Sequence, residues 1–361
     1  VCEDVSNVQD DTPPVNIEKK DLIKNIEGLK FVNGFADNEN LIVTVERDSK
    51  QKLYLANIKS AELKDISGIQ SGNGDYKDDE EKKLLYKEEY LGLSGNGKKL
   101  LYSSGDELYL YDIENKSSKK IKNFDEEYIN NIQFGDYDGN SIVYIDSKTS
   151  KFIFKNISTG DKKELKTNGQ NIMACNEVKV YKGDSNIYFD AHIGNKYGVY
   201  YANTNKMDEV KLLFELHGKE DTIGQFDFIG NKNCILFAGE YNSNPGIFIY
   251  DLGKKSVTKL VSGLKDKEGC RCPFYSLSKG GSKILFEVLN AKMGYKDIYA
   301  ANLNGKTLTS RKCIYKSANT YGSIPVPSWW TPDGKKVVVD GKKYDESIKD
   351  RKYDLRIFEF N

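Results

Sequence analysis

The sequence predicts an all-β fold made of seven copies of a four-stranded antiparallel sheet. Two observations carry this prediction: a short pattern of aliphatic and aromatic residues recurs seven times, and a second apolar run precedes each copy. No long stretch has the 3.6-residue periodicity of a helix, whereas β-branched and aromatic residues, which dominate the repeats, favour strands. The 24 Tyr and 16 Phe of the chain supply apolar surface in pieces the length of a strand.

The recurring pattern itself predicts one strand followed by a turn. Aliphatic and aromatic residues alternate and are followed by Asn or Asp in every copy except the last, which has Glu359. An Asn or Asp side chain can hydrogen-bond to the backbone two residues further on, which favours a turn at the end of the strand. The seven copies are Leu53–Ile58, Leu108–Ile113, Phe152–Ile157, Val199–Thr204, Ile247–Leu252, Ile298–Leu303 and Leu355–Phe360.

The apolar run before each copy predicts another strand, because Gly, Asn and Asp residues typical of tight turns precede most of these runs. A Lys-rich segment such as Ser256–Leu260 follows most copies, and its charges suit the exposed edge of a sheet. Together with the strand before the turn, these segments make a four-stranded meander of roughly 45 residues, the size of one β-propeller blade. The apolar runs are Leu41–Val43, Leu100–Tyr102, Ile142–Tyr144, Ile187–Phe189, Ile235–Phe237, Ile284–Phe286 and Val337–Val339.

The two ends of the sequence predict how the propeller closes. The last copy stops at Asn361 without an outer strand, whereas Val15–Ile23 has the pattern of an outer strand that belongs to no blade of its own. An N-terminal strand that completes the last blade explains both features and leaves no blade unpaired. We therefore expect one domain over residues 15–361, a seven-bladed β-propeller closed by its N-terminal strand.

Residues 1–14 are predicted to form a flexible tether before this domain, because they are acidic and contain Pro. Cys2 at the start of the tether resembles the lipid-modified Cys of bacterial surface lipoproteins, which makes it the candidate lipidation site and the one expected link to a membrane. The alternative is an ordinary Cys near a chain boundary. Only five of the 54 basic residues are Arg, a bias typical of AT-rich bacterial genomes. We expect a bacterial protein that is extracellular or at the cell surface.

Charge does not indicate a nucleic-acid partner. The formal net charge is zero, and the 30% of residues that are charged have the two signs interspersed. A nucleic-acid-binding protein typically carries a net positive charge or a basic stripe that neutralises phosphates. We therefore expect no nucleic-acid partner. We expect a monomer whose partner is a protein, a peptide or a glycan.

The segment Pro327–Val337 reads Pro-Ser-Trp-Trp-Thr-Pro-Asp-Gly-Lys-Lys-Val and resembles the W-S-P-D-G-K-K signature of the TolB-like (PD40) propeller repeats. Pro273–Ile284, followed by Asp297–Tyr299, is a looser match, and the resemblance extends in weaker form over residues 30–361. The resemblance implies a β-propeller but no particular activity, since related propellers have many roles. TolB has six blades, so a six-bladed ring is the alternative to seven.

Few residues suit catalysis or a cofactor. The sequence has two His, His192 and His217, and lacks the Gly-x-Ser-x-Gly segment that presents a nucleophilic Ser. Asp136–Asn140 begins like a calcium-binding loop, but Ser147 stands where such a loop needs a bidentate Glu, so a hairpin turn is predicted there. The six Cys lack the paired Cys-x-x-Cys spacing of a zinc site. We predict no catalytic residue, no metal site and no cofactor.

Four residues are candidates for contact with a ligand. Trp329 and Trp330 are the two tryptophans of the chain and lie together on a predicted innermost strand, where alternation can turn one toward the core and the other toward the channel mouth. Tyr275 lies in the similar segment of the sixth copy, and His192 in the predicted loop between the second and third strands of the fourth copy. Core packing is the alternative role for the two Trp.

These features favour a non-enzymatic exported propeller that serves as a binding platform for a protein, a peptide or a glycan. The alternative is a carbohydrate-active enzyme, a lyase or a glycosidase, with acidic residues at the channel mouth. Two or more carboxylates and an aromatic ring that converge in one deep pocket would favour the enzyme. A purely structural scaffold, with neither a concave pocket nor an apolar patch, is the third hypothesis.

Overall fold

The computed structural model describes residues 17–22, 26–67, 76–77, 83–84, 86–105, 107–121, 129–146, 148–167, 169–170, 172–206, 209–266, 269–290, 295–319, 327–341, 343–345 and 350–360. These residues form β-strands and no helix, so none of them belongs to a helix that could cross a membrane. The chain divides into two compact units. We call Lys24–Glu215 the N-terminal unit, and Leu216–Asn361 together with Val1–Ile23 the C-terminal unit. The predicted tether 1–14, with Cys2, lies outside the described residues.

The strands follow one another with short turns between most of them. Those up to the boundary between the units are β1 (Ile17–Leu22), β2 (Leu29–Phe35), β3 (Asn40–Arg47), β4 (Lys50–Asn57), β5 (Leu63–Asp65), β6 (Tyr76–Lys77), β7 (Lys83–Leu84), β8 (Tyr86–Leu93), β9 (Lys99–Ser104), β10 (Glu107–Asp112), β11 (Ser117–Lys120), β12 (Ile129–Phe134), β13 (Ser141–Asp146), β14 (Lys151–Asn156), β15 (Lys162–Glu164), β16 (Ile172–Val180), β17 (Asn186–Ile193), β18 (Lys196–Asn203) and β19 (Val210–Leu216). Those after it are β20 (Thr222–Ile229), β21 (Cys234–Tyr241), β22 (Asn244–Asp251), β23 (Ser256–Ser262), β24 (Leu264–Asp266), β25 (Gly269–Arg271), β26 (Tyr275–Leu277), β27 (Lys283–Leu289), β28 (Tyr295–Asn304), β29 (Thr307–Asn319), β30 (Ser328–Trp330), β31 (Lys336–Asp340), β32 (Lys343–Asp345), β33 (Asp350–Lys352) and β34 (Leu355–Phe360).

In the N-terminal unit, consecutive strands pair antiparallel into four-stranded meanders. The meanders consist of β2–β5, β8–β11, β12–β15 and β16–β19. The first two are joined by a short parallel pairing of β4 with β8, in which Lys50 lies opposite Tyr86. Of the acidic insertion Ser71–Lys83, which the sequence suggests is a solvated loop, the structure describes Tyr76–Lys77 and Lys83, which lie in the two-stranded pair β6–β7.

In the C-terminal unit, β20–β23 and β26–β29 form two further antiparallel meanders. A third four-stranded sheet has the order β1-β34-β31-β30 and so combines the first and the last strand of the described chain. Ile17 of β1 lies opposite Phe360 of β34, and Leu22 lies opposite Arg356. Two small hairpins, β24–β25 and β32–β33, lie outside these sheets.

In five of the seven copies the polar residue that ends the repeat caps the following turn, as the sequence pattern predicts. Asn57 Oδ1 accepts the N–H of Lys59 at 3.0 Å, and Asp251 Oδ1 accepts the N–H of Lys254 at 2.7 Å. Because these side chains satisfy backbone donors that would otherwise face only water, they fix where each strand ends and the next begins.

Within each unit, neighbouring sheets pack face to face through the predicted apolar runs. In the C-terminal unit, Leu285 and Ile298 of the β26–β29 sheet share one core cluster with Val337 and Phe358 of the last sheet. Removing such side chains from water is worth about 1.5–3 kcal/mol each, so this packing holds the short strands together. By contrast, β15, the outermost strand of its meander, is exposed throughout and carries Lys162 and Lys163. Its charges protect an open sheet edge.

Candidate functional site

Two of the predicted aromatic residues of the C-terminal unit, Trp330 and Tyr275, pack between sheets. Trp329 and Trp330 are half-buried on β30, and the Trp330 ring lies 5.0 Å from the Phe360 ring. The Trp330 indole nitrogen is buried and has no hydrogen-bond partner among the described residues. Tyr275 is buried, and its hydroxyl donates to the Leu236 carbonyl oxygen at 3.1 Å. Core packing accounts for these contacts, and a ligand contact by any of the three stays a prediction.

His192 lies in the N-terminal unit and is exposed. It belongs to strand β17, where it pairs with Tyr197 of β18, so the turn between these strands contains only Gly194 and Asn195. The imidazole stacks on the Tyr197 ring with 4.2 Å between the centroids and an interplanar angle of 13°. The sequence places His192 in the loop itself, but the cross-strand pairing extends further than the apolar pattern indicates.

A buried carboxylate recurs at one position of the repeat, and the sequence patterns did not predict it. It follows the apolar run of the second strand in three sheets, and in each its side chain is no more than 3% exposed. Each carboxylate accepts a backbone N–H from a neighbouring strand or from the residue just before one, which anchors that part of the chain. The pairs are Asp190 with Glu177 at 3.1 Å, Glu287 with Phe274 at 3.0 Å and Asp340 with Asp354 at 3.1 Å. An alignment of the repeats could have revealed this position, since an acid directly after three apolar residues is unusual.

Glu287 also forms a buried ion pair. The Lys296 ammonium lies 2.9 Å from Glu287 Oε2, and both side chains are only 4% exposed. The same carboxylate oxygen accepts the Phe274 N–H, and the ammonium lies 5.8 Å from the centre of the Phe274 ring. The pair fixes the approach of the chain to β26 and is closed to solvent.

A second closed polar network lies in the C-terminal unit at the start of β34. Arg356 contacts both carboxylate oxygens of Asp354, Oδ2 at 2.8 Å and Oδ1 at 3.3 Å, and its guanidinium lies 4.2 Å above the Tyr315 ring. The Tyr315 hydroxyl donates to Asp354, and burial together with this carboxylate raises the pKa of Tyr315 above its usual value. Since each group already has its partner, the network ties β29 to β34 and offers no open acid or base.

The Cys residues near β25 are protonated thiols. Cys270 is half-buried and its Sγ donates to Glu240 Oε1 at 3.4 Å. Burial, with the Glu240 charge as a further cause, raises the pKa of Cys270 and raises that of Cys272 to about 11. Because the raised pKa values keep both thiols protonated, thiolate chemistry at neutral pH is not expected at Cys270 or Cys272.

No group of three or more His, Cys, Asp or Glu in the described part of the chain is arranged to hold a metal ion.

We expect the Cys272 thiol to react slowly with iodoacetamide. A pKa of about 11 against the ordinary value of 9.0 reduces the thiolate fraction at pH 7.5 about a hundredfold. Peptide mass spectrometry after timed labelling of the folded chain measures the rate, and labelling in urea gives the reference. Equal rates for the folded and the unfolded chain at Cys272 would contradict the half-buried placement of its thiol.

An apolar groove of about 370 Å³ lies in the C-terminal unit between β23 and the β26–β29 sheet. Its floor contains the buried side chains of Leu260, Val261 and Phe286, and Val288 stands 37% exposed at its side. Arg311 is the one cation in the lining, which contains no carboxylate. The remaining lining residues are Ser262, Gly263, Leu264, Leu289, Tyr299 and Leu308.

A polar cavity of about 330 Å³ lies in the N-terminal unit beside β14 and β15. Its floor consists of the buried residues Phe152, Leu165 and Ile172, and its walls are hydroxyl, amide and charged side chains. It contains one carboxylate, Glu164, which lies 2.8 Å from the Lys151 ammonium. The polar wall residues are Thr149, Ser150, Lys151, Glu164, Lys166, Thr167 and Gln170.

Comparison with known proteins identifies the fold. No protein-family model matches the sequence, and no curated protein is significantly similar to it. An oligogalacturonate lyase from Vibrio parahaemolyticus superposes with a TM-score of 0.60 at 14% sequence identity, over 97% of this chain and 98% of the lyase. An oligogalacturonate lyase in complex with manganese gives a TM-score of 0.61 at 12% identity, over 96% and 97% of the two chains.

A third similar structure is the β-propeller domain of Cps50 from Myceliophteria thermophila. Its TM-score is 0.54 at 8% identity, and the match covers 96% of this chain and all of that domain. Identities this low indicate a shared fold and carry no information on activity. The antiparallel four-stranded sheets and these neighbours together show that the chain has a β-propeller fold.

Proposed function

We propose that this chain is a seven-bladed propeller, closed by its N-terminal strand, that binds a segment of a partner protein in the apolar groove. Seven four-stranded groups support the blade number: β2–β5, β8–β11, β12–β15, β16–β19, β20–β23, β26–β29 and the β30, β31, β34 and β1 group. Closure is supported by the pairing of β1 with β34, because an N-terminal strand in the last sheet links the two ends of a ring. We retain the proposals that the protein is exported and that Cys2 is its lipid anchor.

The observation that carries the binding proposal is the partly uncovered apolar face around Val288. Leu264, Tyr299 and Leu308 are half-buried beside it, so one groove collects several apolar side chains that no other part of the described chain covers fully. Filling such a groove removes apolar surface from water, which favours binding by about 25 cal/mol per Å² before the costs of association.

The occupant that fits is an extended peptide with apolar side chains and one acidic residue. β29 contributes Leu308 and Arg311 to the groove and is the outermost strand of its sheet, so a peptide can add its backbone to this edge. Arg311 supplies a fixed positive charge at the groove, which an Asp, a Glu or a C-terminal carboxylate complements.

Binding agrees with the two cavities better than catalysis does. The groove contains no carboxylate, and the polar cavity contains one, Glu164, already paired with Lys151. A glycosidase requires two carboxylates about 5–10 Å apart across the scissile bond. The described residues also contain no cluster of three His, Cys, Asp or Glu side chains that could hold a metal ion. We therefore favour the binding platform over the carbohydrate-active enzyme.

We expect Val288→Glu to weaken binding at the groove about tenfold, because the change puts a charge into its apolar side. The probe is 8-anilinonaphthalene-1-sulfonate, whose rings and sulfonate match the apolar lining and Arg311; fluorescence titration gives its Kd. Phe31→Glu is the matched control, because Phe31 is a large apolar side chain that is 55% exposed and lies outside the groove. Equal affinities of Val288→Glu and the unmodified chain would overturn the groove as a binding site.

Selection from a random ten-residue peptide library on the unmodified chain tests the occupant. The proposal predicts enriched peptides with alternating apolar residues and an acidic residue, and it predicts that they fail to bind Val288→Glu. The contrary result is that dodecanoate displaces the dye while no peptide is enriched over the Val288→Glu background. It would contradict the proposal and would indicate that the ligand of the groove is a fatty acid.

A further inference from the structure

The polar cavity of the N-terminal unit has a lining suited to a ligand rich in hydroxyl groups. Thr149, Ser150 and Thr167 contribute hydroxyl oxygens that can accept hydrogen bonds, and Gln170 contributes an amide that can both donate and accept them. The buried floor of Phe152, Leu165 and Ile172 is apolar. A pyranose ring has the complementary surface, with hydroxyls at its rim and C–H groups on its faces. The volume of about 330 Å³ falls in the range of small-molecule sites.

The segment that bears the amide is held in place by its own hydrogen bonds. The Gln170 N–H donates to the Thr167 carbonyl oxygen at 3.1 Å, and the Thr167 hydroxyl donates to the Gln170 carbonyl oxygen. The Gln170 side chain also packs against Gly194, where an added Cβ would lie 2.9 Å from its amide carbon. A fixed polar wall loses little conformational entropy when a ligand binds.

The same contact brings the cavity next to the exposed His192–Tyr197 stack. Gly194 lies in the turn between the two rings, and Ile172 of the cavity floor pairs with Ile193, the neighbour of His192. The stacked rings lie 4.2 Å apart, and His192 is exposed. A sugar chain that leaves the cavity on this side would meet a flat ring surface on which another pyranose can stack.

The charge of the cavity favours an acidic sugar. Lys151 and Lys166 contribute two positive charges and Glu164 one negative charge, and Glu164 is engaged by Lys151 at 2.8 Å. The lining therefore carries one positive charge in excess, with the Lys166 side chain exposed at its edge. A sugar carboxylate would balance this charge, whereas a neutral sugar would not.

We propose that this cavity is a binding site for a short acidic oligosaccharide, with one sugar on the polar lining and the next on the His192–Tyr197 stack. The site is separate from the peptide groove, and either proposal can fail without the other.

Isothermal titration of the full chain with a hyaluronan tetrasaccharide and with cellotetraose tests this proposal. We expect the acidic tetrasaccharide to bind at least fivefold more tightly at low salt, and Lys166→Gln to abolish this preference. Gln170→Ala should weaken the binding of both sugars roughly fivefold through a lost hydrogen bond. His192→Ala should weaken the binding of the acidic tetrasaccharide but leave unchanged the binding of glucuronate, a single acidic sugar that cannot reach the ring stack. Lys162→Gln is the matched control, since Lys162 is an exposed Lys on the nearby strand β15 and does not line the cavity.

Three results would overturn the proposal. One is the absence of binding heat with both sugars. Another is equal binding by Gln170→Ala, Lys166→Gln and the unmodified chain. The third is competition by sodium sulfate at the same concentration as the acidic tetrasaccharide, which would indicate a simple anion site. Circular dichroism of each variant excludes unfolding as the cause of a loss.

Discussion

Replacing Lys296 with Met is expected to lower the free energy of unfolding of the C-terminal unit by about 3–5 kcal/mol. Lys296 and Glu287 are each 4% exposed and lie 2.9 Å apart, so the substitution leaves the Glu287 carboxylate in the protein interior without its cation. The Phe274 N–H, 3.0 Å from the same oxygen, remains as a donor but brings no full charge. Either the carboxylate takes up a proton or the sheet opens to water, and both cost stability.

Urea unfolding followed by tryptophan fluorescence measures this effect in the C-terminal unit. The chain has two Trp, Trp329 and Trp330, and both lie on β30 of that unit, so their emission reports its unfolding. The midpoint and slope of the transition give the free energy of unfolding.

Two variants separate the buried charge from the loss of a long side chain. The double variant Glu287→Gln with Lys296→Met should recover most of the stability, because no charge is then buried alone. Lys306→Met removes the partner of Asp251 from a more exposed ion pair, with side-chain exposures of 30% and 14%, and should cost about 1 kcal/mol or less. A Lys296→Met variant no less stable than Lys306→Met would contradict the burial of the pair.

The sequence predicts the strands that carry this pair but not the pair itself. Ile284–Phe286 is one of the apolar runs, and the structure places it on β27 as a buried strand. Glu287 and Lys296 lie on different strands, and their contact is diagonal: Glu287 lies opposite Ile298, while Lys296 lies opposite Leu289. Only the register of the β27–β28 hairpin brings them together, and the repeat pattern does not specify that register to the residue.

The groove and the cavity could not be predicted for a related reason. Val288 follows a predicted strand and looks like one more buried apolar residue in the pattern. Its 37% exposure depends on how Ser262–Leu264 leaves the preceding sheet, which is a matter of packing between sheets. In the same way, Gln170 reaches its position because Gly194, on another strand pair, has no side chain. Local patterns determine strands, whereas contacts between sheets determine sites.

Gly239→Ala is expected to destabilise the C-terminal unit by about 3 kcal/mol or more. A Cβ at Gly239 would lie 1.9 Å from the Thr222 carbonyl oxygen and 2.9 Å from its carbonyl carbon. Both are backbone atoms of the paired strand β20, next to the bulge between Ile223 and Gln225. An overlap with a side chain could be relieved by rotation of that side chain. Here the overlapping atoms belong to the backbone, so the two strands must separate, which breaks hydrogen bonds of the sheet.

Gly280→Ala isolates this steric cause. Gly280 lies in the turn before β27 of the same unit, its φ is not positive, and no atom lies within 4 Å of its added Cβ. The same chemical change should therefore alter the free energy of unfolding by no more than about 0.5 kcal/mol. Tryptophan-monitored urea unfolding of the two variants compares them directly, and because each adds one methyl group, a difference between them reports the space at Gly239. Equal stabilities would mean that β20 and β21 are further apart than the structure has them, and that the register of this sheet has to be revised.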